Sequence, residues 1–344
     1  MTQSGQERAQ FREKGGLGTS RIRLPTLGFG AAAIGNLYSP VDDATADAAI
    51  NEALERGIRY FDTAPYYGYG LSEERLGRAL GRAPDAGVIV STKVGRLIEL
   101  DHTGGEPRDG FAVPGRRAVF DYSRDGILRS FESSLKRLAR DRVEILLLHD
   151  VGRATHGDLH DVRLREALET ALPTMAALKS AGACDAIGIG VNEEAVCLEI
   201  MPRFDLDCIL LAGRYTLLEQ ESARVVMQEA QQRDVGIIVG GPFNSGLLAD
   251  ARAPGSTYNY QPAREEMLER ARRIYAICAE QQVDVGAAAL QFVLAHPAVS
   301  SVVAGMRSPA EVASAVERAR ARLPSSLWQA LRDSGLLLPE VPIP

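Results

Sequence analysis

Eight short apolar runs recur along this chain, most of them followed by a stretch with helical spacing, and that alternation limits the possible folds more than any other feature. The first run, TLGFG at 26–30, precedes residues 43–56, where Ala46, Ala49, Ile50, Ala53 and Leu54 fall on one helical face and Gly57 supplies a stop. IRYFDT (58–63) leads to a helix beginning near Ser72, and VIVSTKV (88–94) to one carrying Ile127, Phe131, Leu135 and Leu138. VEILLLH (143–149) leads to a helix ending before Gly182, and AIGIGV (186–191) to one near Glu193. CILLAG, GIIVGG and SVVAG complete the set. Strands that are almost wholly apolar belong to parallel sheets covered on both faces, and eight strand–helix units close most economically into an α/β (β/α)8 barrel. The alternative is a doubly wound open sheet.

The 344 residues suit one such barrel with added loops. Residues 1–20, polar and glycine-rich, read as a mobile leader, and 21–344 as a single barrel domain. Three inserts follow strand ends, at 96–121, 150–161 and 242–261, where a barrel places its substrate loops. A net charge of −6 offers no positive field for nucleic acid or anionic lipid, so the partners are small molecules. No apolar run reaches the roughly 18 residues of a membrane helix and the N-terminus lacks an apolar signal segment, which points to the cytoplasm. Cys184, Cys197, Cys208 and Cys278 lack metal or redox spacing and read as buried free thiols. His156, Asp158 and His160 read as a solvated polar loop, so no metal is expected.

Three ionisable residues end successive strands: Asp62 the second, Lys93 the third and His149 the fourth. Side chains at the carboxyl ends of barrel strands converge on the mouth, and Tyr67 lies in the turn five residues after Asp62. A lysine ending an apolar strand needs a counter-ion, for which Asp62 is placed, and an ammonium beside a phenol lowers the tyrosine pKa from its usual value of about 10. Tyr67 then becomes a proton donor or acceptor, with His149 hydrogen-bonding the reacting oxygen.

These residues lie in DTAPYYG, STKVGR, LLLHD, AIGIGVN, PFNSGLL and SSVVAGMRS, and the chain from Leu24 to about residue 330 resembles the aldo-keto reductases. The resemblance implies a catalytic tetrad of Asp62, Tyr67, Lys93 and His149. It also implies a nicotinamide cofactor bound without a Rossmann domain, consistent with the lack of a GxGxxG opening a βαβ unit. The implied cofactor positions are Gly30, Ala31, Asp62, Asn192, then Gly241, Pro242, Phe243, Ser245, Gly246 and Leu247, and finally Gly305, Met306, Arg307 and Glu311. Ser308 and Pro309 read as N-cap and first residue of a helix whose free N–H groups favour an anion. Glu311 stands where NADP-specific members often place an arginine, which implies NAD in preference to NADP. It also completes an S-x-x-E capping box. Implied substrate contacts are Tyr66, His149, Asp150 and Arg214.

The chain departs from the family at Ala212, where a glutamine is common, and at Gly240, where an aromatic often stacks on the nicotinamide. Arg214 shares the inward parity of Ala212 and is placed either to reach the mouth or to form a structural ion pair. GNLY, HDVGRATHG and GVNEEAVC resemble bacterial dehydrogenases that oxidise C1 of L-fucose and related D-threo-aldoses to lactones, with pyridoxal 4-dehydrogenase as close kin. Two other classes are open from the residues alone: a class I aldolase using Lys93 as a Schiff base, and a nicotinamide-binding regulatory subunit. Monomer and dimer are both compatible with the sequence.

Overall fold

The computed structural model describes residues 11, 13–83, 87–102, 110–249, 257–258 and 261–344. The eight apolar runs form parallel strands: β1 (Leu27–Gly30), β2 (Tyr60–Asp62), β3 (Ile89–Val94), β4 (Ile145–His149), β5 (Ala186–Val191), β6 (Cys208–Ala212), β7 (Gly236–Gly240) and β8 (Val299–Gly305). Each pairs with its neighbour in chain order and β8 closes on β1. The barrel, not the open sheet, is the fold. Helices pack outside it: α1 (Asp43–Glu55), α2 (Leu71–Leu80), α3 (Arg124–Leu138), α4 (Leu172–Ser180), α5 (Ala195–Ile200), α6 (Arg224–Gln232), α7 (Glu265–Glu280), α8 (Val285–Ala295), α9 (Pro309–Arg320) and α10 (Ser325–Asp333). No helix among the described residues is long and apolar enough to cross a membrane.

The strand period of two divides the core. Outward residues such as Phe29, Phe61, Val90, Leu146, Leu148, Ile189 and Leu211 pack against the helices. Inward residues Tyr60, Ile145, Leu147, Cys208, Leu210, Ile238 and Val303 fill the lumen. Continuing that parity by one step beyond Tyr60 and Leu147 brings Asp62 and His149 to the mouth. Pairing aligns Asp62 with Ser91, Lys93 with Leu147, and His149 with Gly190. A methyl group on Gly190 would lie 3.2 Å from Lys93 Cε, so this glycine leaves room for the lysine chain to cross the lumen.

Two sequence expectations need correction here. The leader is structured from residue 13 onward: Glu13–Gly16 pairs antiparallel with Arg23–Pro25, and Leu17, fully buried, joins Ile22 and Leu24 in the lumen cluster. A glycine-rich hairpin with three apolar residues closes the barrel floor; residues 1–10 and 12 lie outside the described residues. The segment around His156 and His160 is helical, not a solvated loop. His160 is buried with its Nε2 3.2 Å from Glu199, and the His156 ring packs 4.5 Å from that of Phe120. The four cysteines are buried free thiols.

The first insert begins and ends as a hairpin, Arg96–Leu100 with Arg116–Phe120. It returns Phe111 to the mouth, where this residue is almost fully buried.

Candidate active site

The Lys93 ammonium is 1% exposed and makes three hydrogen bonds, to Asp62 Oδ1 at 3.0 Å, Asp62 Oδ2 at 2.9 Å and the Thr63 carbonyl at 2.8 Å. Ser91 Oγ donates a further bond to Asp62 Oδ1 at 2.7 Å. The pair is therefore both neutralised and fully hydrogen-bonded, which is what a buried ion pair requires. Lys93 Nζ sits 4.5 Å from the centroid of the Tyr67 ring. Tyr67 is held in the turn between β2 and α2, with its N–H bonded to the Ala64 carbonyl and its carbonyl accepting from Ser72 N.

The expected drop in the Tyr67 pKa is not seen in this state. Desolvation, then the charges of Asp62 and Asp150, hold the phenol well above its ordinary value, with only Arg96 acting in the opposite sense. The physical reason is that Asp62 cancels the ammonium's field, and that Nζ lies over the ring face. Tyr67 is thus a protonated phenol in the chain alone.

His149 faces Tyr67 from β4, their rings edge to face at 6.0 Å. Burial first, then Arg96 and Lys93, depress its pKa well below the usual imidazole range, so it is neutral. Its backbone carbonyl and that of Asp150 both accept from the Tyr122 hydroxyl, at 2.8 and 3.1 Å. Asp150 takes a left-handed conformation with φ 50°. That turn leaves its carboxylate paired with buried Arg96 and 3.4 Å from His149 Nε2. Arg96 had no place in the expected site. Its guanidinium lies 3.8 Å from the Tyr66 ring centroid and 4.3 Å from that of Phe120, between two aromatic faces.

Beside this cluster opens a cavity of about 300 Å³, lined by Asp150, Ala154, Thr155, Val191, Asn192, Glu193, Ala212, Gly213, Arg214, Gly241, Asn244 and Ser245. The small side chain of Ala212 leaves part of this space. Arg214 reaches the cavity, but as a clamp: its Nε donates to the Asn192 carbonyl at 2.6 Å, and its guanidinium meets Glu219, Tyr258 and Glu194. Asn244, which was not anticipated from the sequence, is buried with Oδ1 lacking a partner among the described residues.

The loop after β7 turns through successive left-handed residues, Asn244, Ser245 and Gly246, with Gly241 also at positive φ. Pro242 and Leu247 are buried and shape this loop, and Phe243 packs near the Arg318 guanidinium. Ser245 hydrogen-bonds Tyr38 from the loop after β1. At β1 itself Gly30 pairs with Asp62, and Ala31 N donates to the Asp62 carbonyl at 2.9 Å. At the end of β8, Gly305 has open space where a side chain would stand, Met306 is buried, and Ser308 caps α9. Glu311 folds back: its carboxylate accepts from Arg307 N at 2.9 Å and lies 3.3 Å from Arg307 Nε. Arg307 Nη1 also donates to Ser39 Oγ at 2.6 Å. The buried Asn244 Oδ1, unpaired among the described residues at the cavity wall, is an acceptor that fits the carboxamide of a nicotinamide.

The chain is similar in sequence and in fold to known proteins. Residues 26–335 match the aldo/keto reductase family. A pyridoxal 4-dehydrogenase of Microbacterium luteolum is 40% identical, over 94% of this chain and 98% of its own length. A D-threo-aldose 1-dehydrogenase of a Pseudomonas species is 39% identical, over 92% and 95%. Among solved structures, an aldo-keto reductase of Bacillus halodurans in its holo form superposes with a TM-score of 0.74 at 26% identity, covering 96% of this chain and 98% of that one.

Proposed function

The chain belongs to the aldo/keto reductase family of oxidoreductases, and we propose that it oxidises C1 of an aldose of the L-fucose or D-threo type to the lactone, with NAD(P)+ as hydride acceptor. The observation that carries this reading is the cluster of Tyr67, the Lys93–Asp62 pair and neutral His149 at one end of the barrel. Bound there, the oxidised nicotinamide supplies a hydride acceptor. Asn192, Asn244, Ser245 and Gly241 at the cavity, with Gly30, Ala31 and the residues from Gly305 to Glu311, would hold the cofactor. Tyr67, a phenol in the chain alone, would act as the base once the positive charge of the oxidised nicotinamide lowers its pKa and its own proton has passed to solvent; it then takes the proton of the hemiacetal hydroxyl, His149 Nε2 hydrogen-bonds the same oxygen, and Tyr66 and Asp150 contact the substrate. Lys93 is no Schiff-base nucleophile on this reading, because three hydrogen bonds engage its ammonium and leave no free electron pair.

NAD is the preferred cofactor on the strength of Glu311, and an enzyme using soluble nicotinamide suits the cytoplasm. A second substrate, pyridoxal, is favoured by the aromatic wall of Tyr66 and Phe111, 5.3 Å apart, with Phe111 stacked at 6.1 Å on Tyr67. Pyridoxal also closes to a cyclic hemiacetal, so the same proton and hydride leave. The deciding experiment follows NAD and NADP reduction with aldoses and with pyridoxal, and identifies the product. Lactone formation from an aldose at the higher kcat/KM supports the first reading. A preference for pyridoxal supports the second, and no turnover with either overturns both.

A further inference from the structure

Arg96 is the most deeply placed cation of the site that the proposed chemistry leaves without a role. It leaves β3 two residues after Val94, in the segment that also positions Lys93. Its guanidinium is enclosed by Tyr66 and Phe120 and gripped by Asp150, and Ser130 Oγ bonds its carbonyl at 3.0 Å. The Asp150 oxygen that meets Arg96 is the one that lies 3.4 Å from His149 Nε2. The other imidazole nitrogen, Nδ1, is buried and has no partner among the described residues. A buried Nδ1 with no acceptor nearby would lose stabilisation if it carried the proton, whereas a proton on Nε2 lies in the field of a carboxylate 3.4 Å away without being committed to it, and so stays available to a substrate oxygen.

We propose that Arg96 is a positioning residue for the dehydrogenase reaction: by fixing Asp150 in a neutralised pair, it keeps His149 as the neutral tautomer with its proton on Nε2, aimed beside the cavity. The substrate role rests on the reading of this site as a dehydrogenase; the tautomer itself does not. Every charged group around the imidazole bears on its state. Lys93, compensated by Asp62, stands on the β3 side, and Arg96 with Asp150 on the other. Tyr67 and Tyr66 close the cluster as phenols, and His156 lies behind through the Tyr122 hydroxyl, 3.0 Å away. Removing Arg96 deletes a repelling cation and leaves the Asp150 carboxylate uncompensated, and both changes favour an imidazolium. That imidazolium would bind Asp150 and withdraw Nε2–H from the substrate oxygen. Removing the carboxylate instead leaves His149 neutral and takes away the acceptor that selects Nε2.

The test combines ring 15N spectra of His149, assigned with His149→Asn, with steady-state kinetics on the full chain. The wild type should show a neutral ring protonated on Nε2 from pH 6 to 8. Arg96→Met should show an imidazolium signal growing as pH falls, with kcat/KM lowered by about tenfold to a hundredfold and a new acidic limb in its pH profile. Arg96→Lys should restore the neutral signal and part of kcat/KM, and Asp150→Asn should move the proton partly to Nδ1. If Arg96→Met loses activity evenly at all pH values while His149 keeps its wild-type spectrum, Arg96 is structural and the proposal is wrong. The spectra need no substrate, so the tautomer changes appearing in a protein without dehydrogenase turnover would overturn the activity and leave the pairing intact.

Discussion

Among the described residues two lysine–aspartate pairs bridge elements of this barrel, one at each end, and their surroundings differ more than their chemistry. At the floor, Lys179 of α4 meets both oxygens of Asp207, at 2.7 and 2.6 Å, and Asp207 also accepts from Thr19 Oγ1 at 3.0 Å and Ile187 N at 2.8 Å. Every one of these partners ties chain to chain: helix, floor hairpin and β5 are fastened to the start of β6. At the mouth, Lys93 and Asp62 are bonded as completely, yet the ammonium also looks onto the Tyr67 ring and lies near His149. The pair alone does not identify a catalytic site. Position at the carboxyl end of the strands, and a phenol within reach, do.

The sharpest way to break the comparison is to remove one lysine at each end. Tyr67→Phe and Lys93→Met should each lower kcat by about two to four powers of ten, as expected for loss of a positioned proton-transfer group, with cofactor affinity changed far less. Lys179→Met should leave kcat per folded molecule within about twofold. A Lys179→Met enzyme as inactive as Lys93→Met, with unchanged folding, would mean that the floor pair acts on the mouth and that the division is false.

Stability should respond in the opposite order of sites. Asp207→Asn removes a carboxylate that accepts four hydrogen bonds from three donors, so it should cost about 3 kcal/mol in denaturant unfolding, while kcat is preserved. A loss under about 1 kcal/mol would show that the backbone contacts around β6 suffice without the charge.

Substrate charge sharpens the same contrast. Among the described residues at the mouth, Lys93 is committed to Asp62, Arg96 to Asp150, and Arg214 to Glu194 and Glu219, while Asp150 and Glu193 line the cavity. An aldose phosphorylated at a position away from C1 and the ring oxygen should therefore be used about tenfold to a hundredfold less well than the uncharged compound, mostly through KM. Equal kcat/KM for the two would show that one of these cations exchanges its partner for substrate.

How much of this was legible in the sequence depended on the range of the interaction. Strand parity is local, so apolar runs ending in Asp62, Lys93 and His149 were enough to place three acids and bases on one rim. The Arg96–Asp150 pair joins residues 54 positions apart through a hairpin and a left-handed turn, and nothing in STKVGR announces that partner. The floor hairpin was hidden for a related reason: its glycines and charges resemble a leader, and only the lumen it fills explains Leu17. The raised Tyr67 pKa is not legible in the sequence, because a counter-ion's effect on a third group depends on distances that spacing does not supply.

The smallest effect concerns cofactor choice, at a point where the mouth again pairs a cation with a carboxylate. Glu311 accepts from the Arg307 N–H and lies against its side chain, while Ser308 Oγ accepts from Glu311 N at 3.3 Å. The carboxylate thus does two separable things: it secures the start of α9, and it offsets the charge of Arg307. Glu311→Gln keeps an oxygen for the Arg307 N–H but removes the charge, so the cap should survive with a stability change of about 0.5 kcal/mol, typical of a half-exposed pair. Arg307 would then be uncompensated beside the site expected to take the adenosine end. A 2′-phosphate gains from that, and a 2′-hydroxyl does not. kcat/KM with NADP should rise about three- to tenfold, with the value for NAD nearly constant. Equal losses with both cofactors, together with a lower melting temperature, would show instead that Glu311 serves the helix alone, and that NAD preference, if measured, has another origin.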